Sequence, residues 1–449
     1  MSSRKPKKRP RAAGGSEPAR TPRQRPAPAG ARPAEPQNLL YYGDNLEVMR
    51  RYIKDDSIDL IYLDPPFNSS RDYNVIFAEQ DGSRSKARQR NRNRPMTDSI
   101  YPEMVIIARE GCDLTQGELG DLIGYTQTRI SKIENGLRPL PPEHLPGLAK
   151  ALGQAPAFFS TRPPQRVMET GCYHRRSLRT APIRKLKAID RQVDILQVRI
   201  EGLLHGLKLD VFSGFEPIEP DETTSAEDIA RQLRRRWGLA SGPILQLSEL
   251  VERCGGVVVL MEFATPKDDG RSFHNPPGLP VIVVNRSKPG DRQRWIIAHE
   301  VGHLIMHAYG SAGHDAEREA DRFAAEFLMP EEDIKPELYH PITLERLTAL
   351  KHRWRVSIQA LARRAKDLGV ISESRFGWMM SEISSRGWRT REPVSVEQER
   401  PTLIDAVIRH HRENRKLTLA EVAGAAKADL SSFCAMFLPG QSPMRVLGA

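Results

Sequence analysis

The stretch Trp295–His307, WIIAHEVGHLIMH, decides how this chain is read. Its centre is H-E-x-x-H, with His299, Glu300 and His303. On a helix, positions four apart share a face, so both imidazoles can reach one metal ion. Glu300 is the next residue round and can reach a water on that metal. Zinc brings the pKa of such a water towards neutrality, and a neighbouring carboxylate can take its proton as it attacks a peptide carbonyl. Ile296, Ile297, Val301, Leu304 and Ile305 make the rest of the stretch apolar enough for a core helix.

The third ligand separates the possible sites. A metzincin needs glycine three residues and histidine six residues after the second histidine, but Met306 and Tyr309 stand there, so that class is excluded. Downstream, EREADRFAAEFLMP places Glu317 and Asp321 four apart on a second helix. In that arrangement the glutamate binds zinc and the aspartate holds a ligand histidine by its other nitrogen. Glu319 points away by about 200° at ~100° per residue, so it is the weaker candidate ligand. Two histidines and one glutamate leave a fourth position open, as a catalytic zinc requires. His307 and His314 are close in sequence but are given no role.

RWGLASGPILQLSELVERCGGVVV, DDGRSF, PVIVVN, RWIIAHEVGHLIMH and EREADRFAAEFLMP together resemble the ImmA/IrrE-type zinc metallopeptidases. The resemblance spans roughly residues 227–388 and includes LKHRWRVSIQALARRAKDLG. It implies an α+β, zincin-like domain of gluzincin type that cleaves repressor proteins and so relieves transcriptional repression. Carried over to this chain, it makes His299, His303 and Glu317 the zinc ligands and Glu300 the catalytic base. Asp321 departs from the asparagine often found there, though either residue accepts a hydrogen bond from histidine.

LTQGELGDLIGYTQTRISKIENG, Leu114–Gly136, has helix-turn-helix spacing. Thr115 caps a helix from Gln116, and Glu118 completes a capping box. Gly124 ends that helix and Thr126 opens the next. Leu119, Ile123, Ile130 and Ile133 fill the angle between them. The segment resembles the XRE/Cro-type repressor domains over about 60 residues, which implies an all-α domain bound to operator DNA. Gln116, Gln127, Thr128, Arg129, Ser131 and Lys132 are the expected DNA contacts, by base edges or phosphates.

A second chemistry is written near the N-terminus. IDLIYLDPPFNSSRDY, Ile58–Tyr73, is an apolar strand pattern leading to Asp64, Pro65, Pro66 and Phe67. It resembles the catalytic motif of DNA amino-methyltransferases, which hold a flipped base against such residues. The F-x-G-x-G cofactor loop that S-adenosylmethionine needs occurs nowhere in the chain, and the resemblance ends near Ser83. A truncated remnant is expected. Methylation by this fragment is the alternative function, and a non-catalytic DNA-binding regulator is another.

Charge and composition set the frame. The 449 residues carry a net charge of +11, of which residues 1–36 hold +8 and Arg84–Arg94 holds +6, leaving −3 for the remainder. Basic character therefore belongs to two polar segments that can hold nucleic acid without sequence preference. The eight prolines of residues 1–36 predict a disordered tail. Cys112, Cys172, Cys254 and Cys434 form no C-x-x-C pair, which predicts reduced thiols and a cytoplasmic, nucleoid-associated protein. No apolar run is long enough for a membrane span.

The expected architecture is multidomain and mainly α, with the α+β peptidase domain, the all-α helix-turn-helix domain and a disordered basic N-terminus. The segments are a tail at 1–36, the methyltransferase-like fragment at 37–83 and a basic linker at 84–97. The helix-turn-helix domain follows at 98–160, then a linker with a long helix at 161–224. The metallopeptidase domain takes 225–330, its helical C-terminal part 331–392, and a loosely attached helical tail 393–449. No internal repeat is evident. The expected cofactor is Zn2+, and the expected partners are double-stranded operator DNA and a protein substrate, a repressor, with no membrane; a homodimer is compatible with these features.

Overall fold

The computed structural model describes residues 100–164, 182–207, 214–218, 224–239, 241–275, 279–307 and 315–439. Residues 1–36, the fragment at 37–83 with Asp64–Phe67, and the linker at 84–97 lie outside them, as do Cys172 and His314. What is described is mainly helical with one small sheet.

The first helices are α1 (Pro102–Gly111), α2 (Gln116–Ile123), α3 (Gln127–Glu134), α4 (Leu145–Ala151) and α5 (Pro156–Phe159). The capping box holds α2: Thr115 Oγ1 accepts from the Glu118 amide at 3.2 Å, and Glu118 Oε2 accepts from the Thr115 amide at 2.6 Å. Gly124 takes φ +72°, where a side chain would be strained, and the chain turns into α3, capped by Thr126. Met104, Leu119, Ile130, Ile133, Phe158 and Phe159 form the core of this unit. Inside it, Arg109 Nε donates to Glu134 Oε1 at 2.6 Å, so neither buried charge lacks a partner.

The long amphipathic helix expected after this unit is α6, Ile183–Leu204. It joins the parts of the fold. Its Ile195 and Val198 complete the core of the first unit, while Ile189, Leu196, Ile200 and Leu203 belong to a second core beneath the sheet.

Next come α7 (Ala226–Arg236), α8 (Leu247–Arg253), β1 (Val257–Met261), β2 (Gly270–Asn275) and β3 (Leu279–Asn285). The sheet order is β1-β3-β2, with β1 and β3 parallel and β2 antiparallel to β3. Pleat alternation divides the side chains between two faces. Val258, Ile282 and Val284 join one core, and Val257, Val259, Val281 and Val283 join the other. The first face carries α9 (Gly290–Met306), the helix of the H-E-x-x-H stretch. Beside it packs α10 (Ala316–Leu328). The two approach closely at Gly302, where an added Cβ would lie 2.9 Å from Phe323 Cδ1.

After α11 (Glu331–Ile334), helices α12 (Leu344–Trp354), α13 (Ile358–Asp367) and α14 (Glu373–Ser385) close the α9 side of the core. Lys351 in this region is buried and pairs with Asp291 and with Glu392, the latter at 2.7 Å.

Two expectations fail in the last part of the chain. The segment from 393 is not loosely attached. Its helices α15 (Leu403–Glu413), α16 (Leu419–Ala425) and α17 (Leu430–Phe437) cover the second face of the sheet, burying Ile404, Val407, Val422, Phe433 and Phe437. Buried acids stitch the approach: Glu252 Oε2 accepts from the amides of Thr402 and Leu403, and Glu399 pairs with Arg294.

The chain also contains a structural repeat that the sequence did not disclose. Residues Lys416, Thr418, Lys427 and Asp429 keep the spacing of Asp113, Thr115, Gly124 and Thr126. Asp113, Gly124, Lys416 and Lys427 are all left-handed, with φ of 55°, 72°, 58° and 57°. Thr418 and Glu421 form a capping box like that of Thr115 and Glu118, and Asp429 caps α17 as Thr126 caps α3. Helices α15 to α17 therefore repeat the helix-turn-helix geometry of α1 to α3. The two units touch, where the Ala155 amide donates to the Lys427 carbonyl at 3.0 Å and Gln154 bridges to Ala428.

Candidate functional site

The H-E-x-x-H helix is fixed before any ligand is considered. One flank of α9 lies on the sheet and the other packs on α10, so almost every residue of the helix is buried. His299 and His303 then project towards α10 one turn apart. Their Nε2 atoms stand 3.0 Å from each other. Glu317 at the start of α10 brings Oε2 to 3.8 Å from His299 Nε2 and Oε1 to 3.7 Å from His303 Nε2.

His299, His303 and Glu317 each offer a ligand atom within 4.8 Å of the others. Ligands about 2.0–2.1 Å from a tetrahedral zinc stand roughly 3.3 Å apart, so this donor set has the right size and chemistry for that ion. Glu317 is also half-exposed, which leaves one side of the cluster open to solvent.

Asp321 lies one turn further along α10, and its Oδ1 is 3.0 Å from His299 Nδ1. That contact fixes the Nδ1 proton and turns the Nε2 lone pair towards Glu317. Burial alone would keep His299 neutral. The Asp321 hydrogen bond, with Glu300 and Glu317 nearby, outweighs it and raises the pKa above the ordinary imidazole value.

Glu300 points to the other side of His299, towards the edge strand. Ser272 Oγ on β2 donates to Glu300 Oε2 at 2.6 Å. Ser272 pairs with Ile282 of β3, and both face α9, which places the hydroxyl over the helix. Burial pushes the Glu300 carboxyl up to about 7, against the downward pull of His299, the Ser272 hydrogen bond and Arg271. A carboxylate with its pKa near neutrality is suited to taking and returning a proton at ordinary pH.

Sequence reasoning missed three members of this surrounding. Ser272 sits in DDGRSF, a polar edge strand with no apolar alternation to announce it. His307 and Glu319 are the others. Glu319 does not point away from α9 as the helical angle suggested: its Oε2 is 2.8 Å from His307 Nε2, and His307 Nδ1 is 3.0 Å from His303 Nδ1. The angle described α10 alone, whereas α9 runs past the start of α10 and its final turn meets the long Glu319 side chain.

The expected DNA contacts divide into two groups. Gln127, Thr128 and Lys132 are exposed along α3. The other three have contacts within the protein. Gln116 Nε2 donates to Glu134 Oε2 at 2.8 Å, and Asn135 Nδ2 donates to the Ser131 carbonyl at 2.8 Å and, more weakly, to its hydroxyl at 3.4 Å. The Arg129 guanidinium lies 3.6 Å from the Tyr125 ring centroid and donates to its hydroxyl at 2.9 Å. Arg138, just beyond the helix, is a further exposed cation.

None of the described helices is long and apolar enough to cross a membrane. Cys112, Cys254 and Cys434 are free, and none belongs to the histidine cluster.

Two family models match the chain. A helix-turn-helix model matches residues 105–159, and the IrrE N-terminal-like domain, a peptidase family, matches residues 251–366. Neither reaches the Asp64–Phe67 fragment or the second helix-turn-helix unit. No curated protein matches the chain. The first match covers α1 to α5, and the second contains the sheet, α9, α10 and the helices behind them. The chain thus joins a helix-turn-helix domain to an IrrE-like, metallopeptidase-like domain.

Proposed function

We propose that this protein is a DNA-binding transcriptional regulator whose zinc-dependent endopeptidase domain cleaves or controls a repressor. One observation carries the reading: buried Glu300 stands beside the His299, His303 and Glu317 cluster, on the side held by Ser272. His299, His303 and Glu317 would hold the zinc, and Asp321 would keep His299 in the ligating tautomer. Bound there, zinc supplies a polarised water and a Lewis acid for a peptide carbonyl. Glu300 accepts a proton at Oε1 or Oε2 and returns it to the leaving amine, with Ser272 fixing the carboxylate plane.

In this reading residues 98–160 hold the operator through Gln127, Thr128 and Lys132 at first contact. Gln116, Arg129 and Ser131 join if their internal partners release them. Residues 225–392 form the peptidase module and the protein works in the cytoplasm. Two copies on one operator would make it a homodimer, which sedimentation with and without DNA would test.

Glu300→Gln keeps the shape of the side chain and removes the base. It should bind zinc and DNA like the parent while repressor cleavage falls by at least two orders of magnitude. If repressor levels under inducing conditions were the same with Glu300→Gln as with the parent, cleavage would not be how the protein acts. Among the described residues no comparable set of groups supports a methyltransferase reading; the Asp64–Phe67 fragment lies outside them, and the sequence contains no F-x-G-x-G cofactor loop to follow it.

A further inference from the structure

The metal-ligating role of His303 raises a question that His299 has already answered. A histidine can give a lone pair from Nε2 only if its proton sits on Nδ1, and something must accept that proton. For His299 the acceptor is Asp321, at 3.0 Å. For His303 the neighbour at Nδ1 is another imidazole. His303 Nδ1 faces His307 Nδ1 at 3.0 Å, and His307 Nε2 faces Glu319 Oε2 at 2.8 Å.

These distances allow one proton arrangement when both Nε2 atoms of the cluster present lone pairs. His303 carries its proton on Nδ1 and donates to His307 Nδ1. His307, neutral, then carries its own proton on Nε2 and donates to the Glu319 carboxylate. Every nitrogen in the row has one defined role, and the negative end lies in the first turn of α10, where a carboxylate is favoured by the helix dipole. His303 and His307 are buried, so water does not offer a simple substitute. Asp321 and Glu319 come from the same helix as Glu317. Helix α10 thereby supplies one ligand and the negative support of both others.

We propose that His307 and Glu319 are positioning residues for the metal centre, orienting His303 through this two-step row as Asp321 orients His299 in one step. The proposal rests on the zinc reading of the cluster given above.

Zn2+ affinity of the full chain, read by competition with a chromophoric chelator, tests it beside the visible absorption of the Co2+-loaded protein and the melting of the metal-free form. His307→Leu keeps bulk but can neither accept nor donate. It should weaken Zn2+ binding about 10- to 100-fold and shift the Co2+ bands. His307→Gln retains one acceptor and one donor and should recover most of the affinity. Glu319→Gln, which still accepts but carries no charge, should lose about tenfold or less. A purely structural role would instead lower the melting temperature of the metal-free protein while the folded fraction kept its affinity and Co2+ spectrum. Parent-like affinity and spectrum in both His307→Leu and Glu319→Gln would overturn the proposal and leave the zinc reading standing. If the parent chain itself took up no Zn2+, and His299→Ala changed nothing, the zinc reading would fall and this proposal with it.

Discussion

The two helix-turn-helix units share a backbone and differ in what their third helix shows to solvent. In the first, α3 presents Gln127, Thr128 and Lys132. In the second, the matching positions of α17 hold Leu430, Ser431 and Ala435, and Ser432 and Cys434 stand where Arg129 and Ser131 do. None of these can form a bidentate contact to a base edge or a charged contact to phosphate. The second unit turns its apolar residues to the sheet and its Met436 sulfur to Arg199 of α6, at 3.3 Å. One backbone geometry thus carries an exposed polar face in the first unit and serves as a packing block in the second. Side chains, not the turn, decide which.

Four experiments would break or sharpen that contrast. The largest effect belongs to Phe433→Ala. The ring is fully buried between α16, α17 and the sheet, so its loss should cost about 3–5 kcal/mol in urea unfolding. A loss below 1 kcal/mol would mean that the second unit is not part of the core. Gln127→Ala or Lys132→Ala should show the opposite profile. Stability should change by less than about 0.5 kcal/mol, since both are exposed, while operator affinity falls by about 1–3 kcal/mol for a base contact at Gln127. For Lys132 the salt slope of binding should fall by about one, whereas Lys416→Ala or Lys427→Ala should leave it unchanged.

The caps come next. Thr115→Ala and Thr418→Ala each remove one side of a capping box and should each cost about 1 kcal/mol, equally in the two units. Unequal losses would show that the repeated geometry is not repeated in energy. The smallest effects concern the turns. Gly124→Ala should destabilise by up to about 1 kcal/mol, because φ is +72° there, and Lys427→Gly should stabilise by a few tenths, because a lysine already bears φ of 57°. A chemical melt with both variants in parallel checks the opposite signs.

The same contrast explains what could be read in the sequence. The first unit was legible because Gly124 marks its turn and the polar residues of α3 mark a solvent face. The second has lysine at the left-handed position and LSSFCAMF in its last helix, so neither turn chemistry nor periodicity announces it. At the candidate site, the grouping of His299, His303, Glu300, Glu317 and Asp321 could be read in advance because their spacing on two helices is chemistry in one dimension. Ser272 lies on an edge strand 28 positions before its partner, and no local pattern encodes that contact. His307 and Glu319 were passed over because a helical angle describes one helix, and their meeting depends on how α9 and α10 are placed against each other. The fold class followed from the helical periodicity and the apolar runs of β1 and β3. Strand β2 did not, since GRSFHN has a polar character and owes its place to β3.

The short tie between Gln154, Ala155, Lys427 and Ala428 has a topological consequence. It fastens the far end of the first helix-turn-helix unit to the last turn of the chain's final described module, with the sheet, α9 and α10 threaded between them in sequence. The described fold is therefore a closed loop rather than beads on a string. Cutting the gene at the edges of the peptidase match would sever that loop twice, removing α15 to α17 from the underside of the sheet at one cut and α6 from the same underside at the other. A fragment that begins at residue 251 and ends at residue 366 would accordingly be a poor stand-in for the whole molecule.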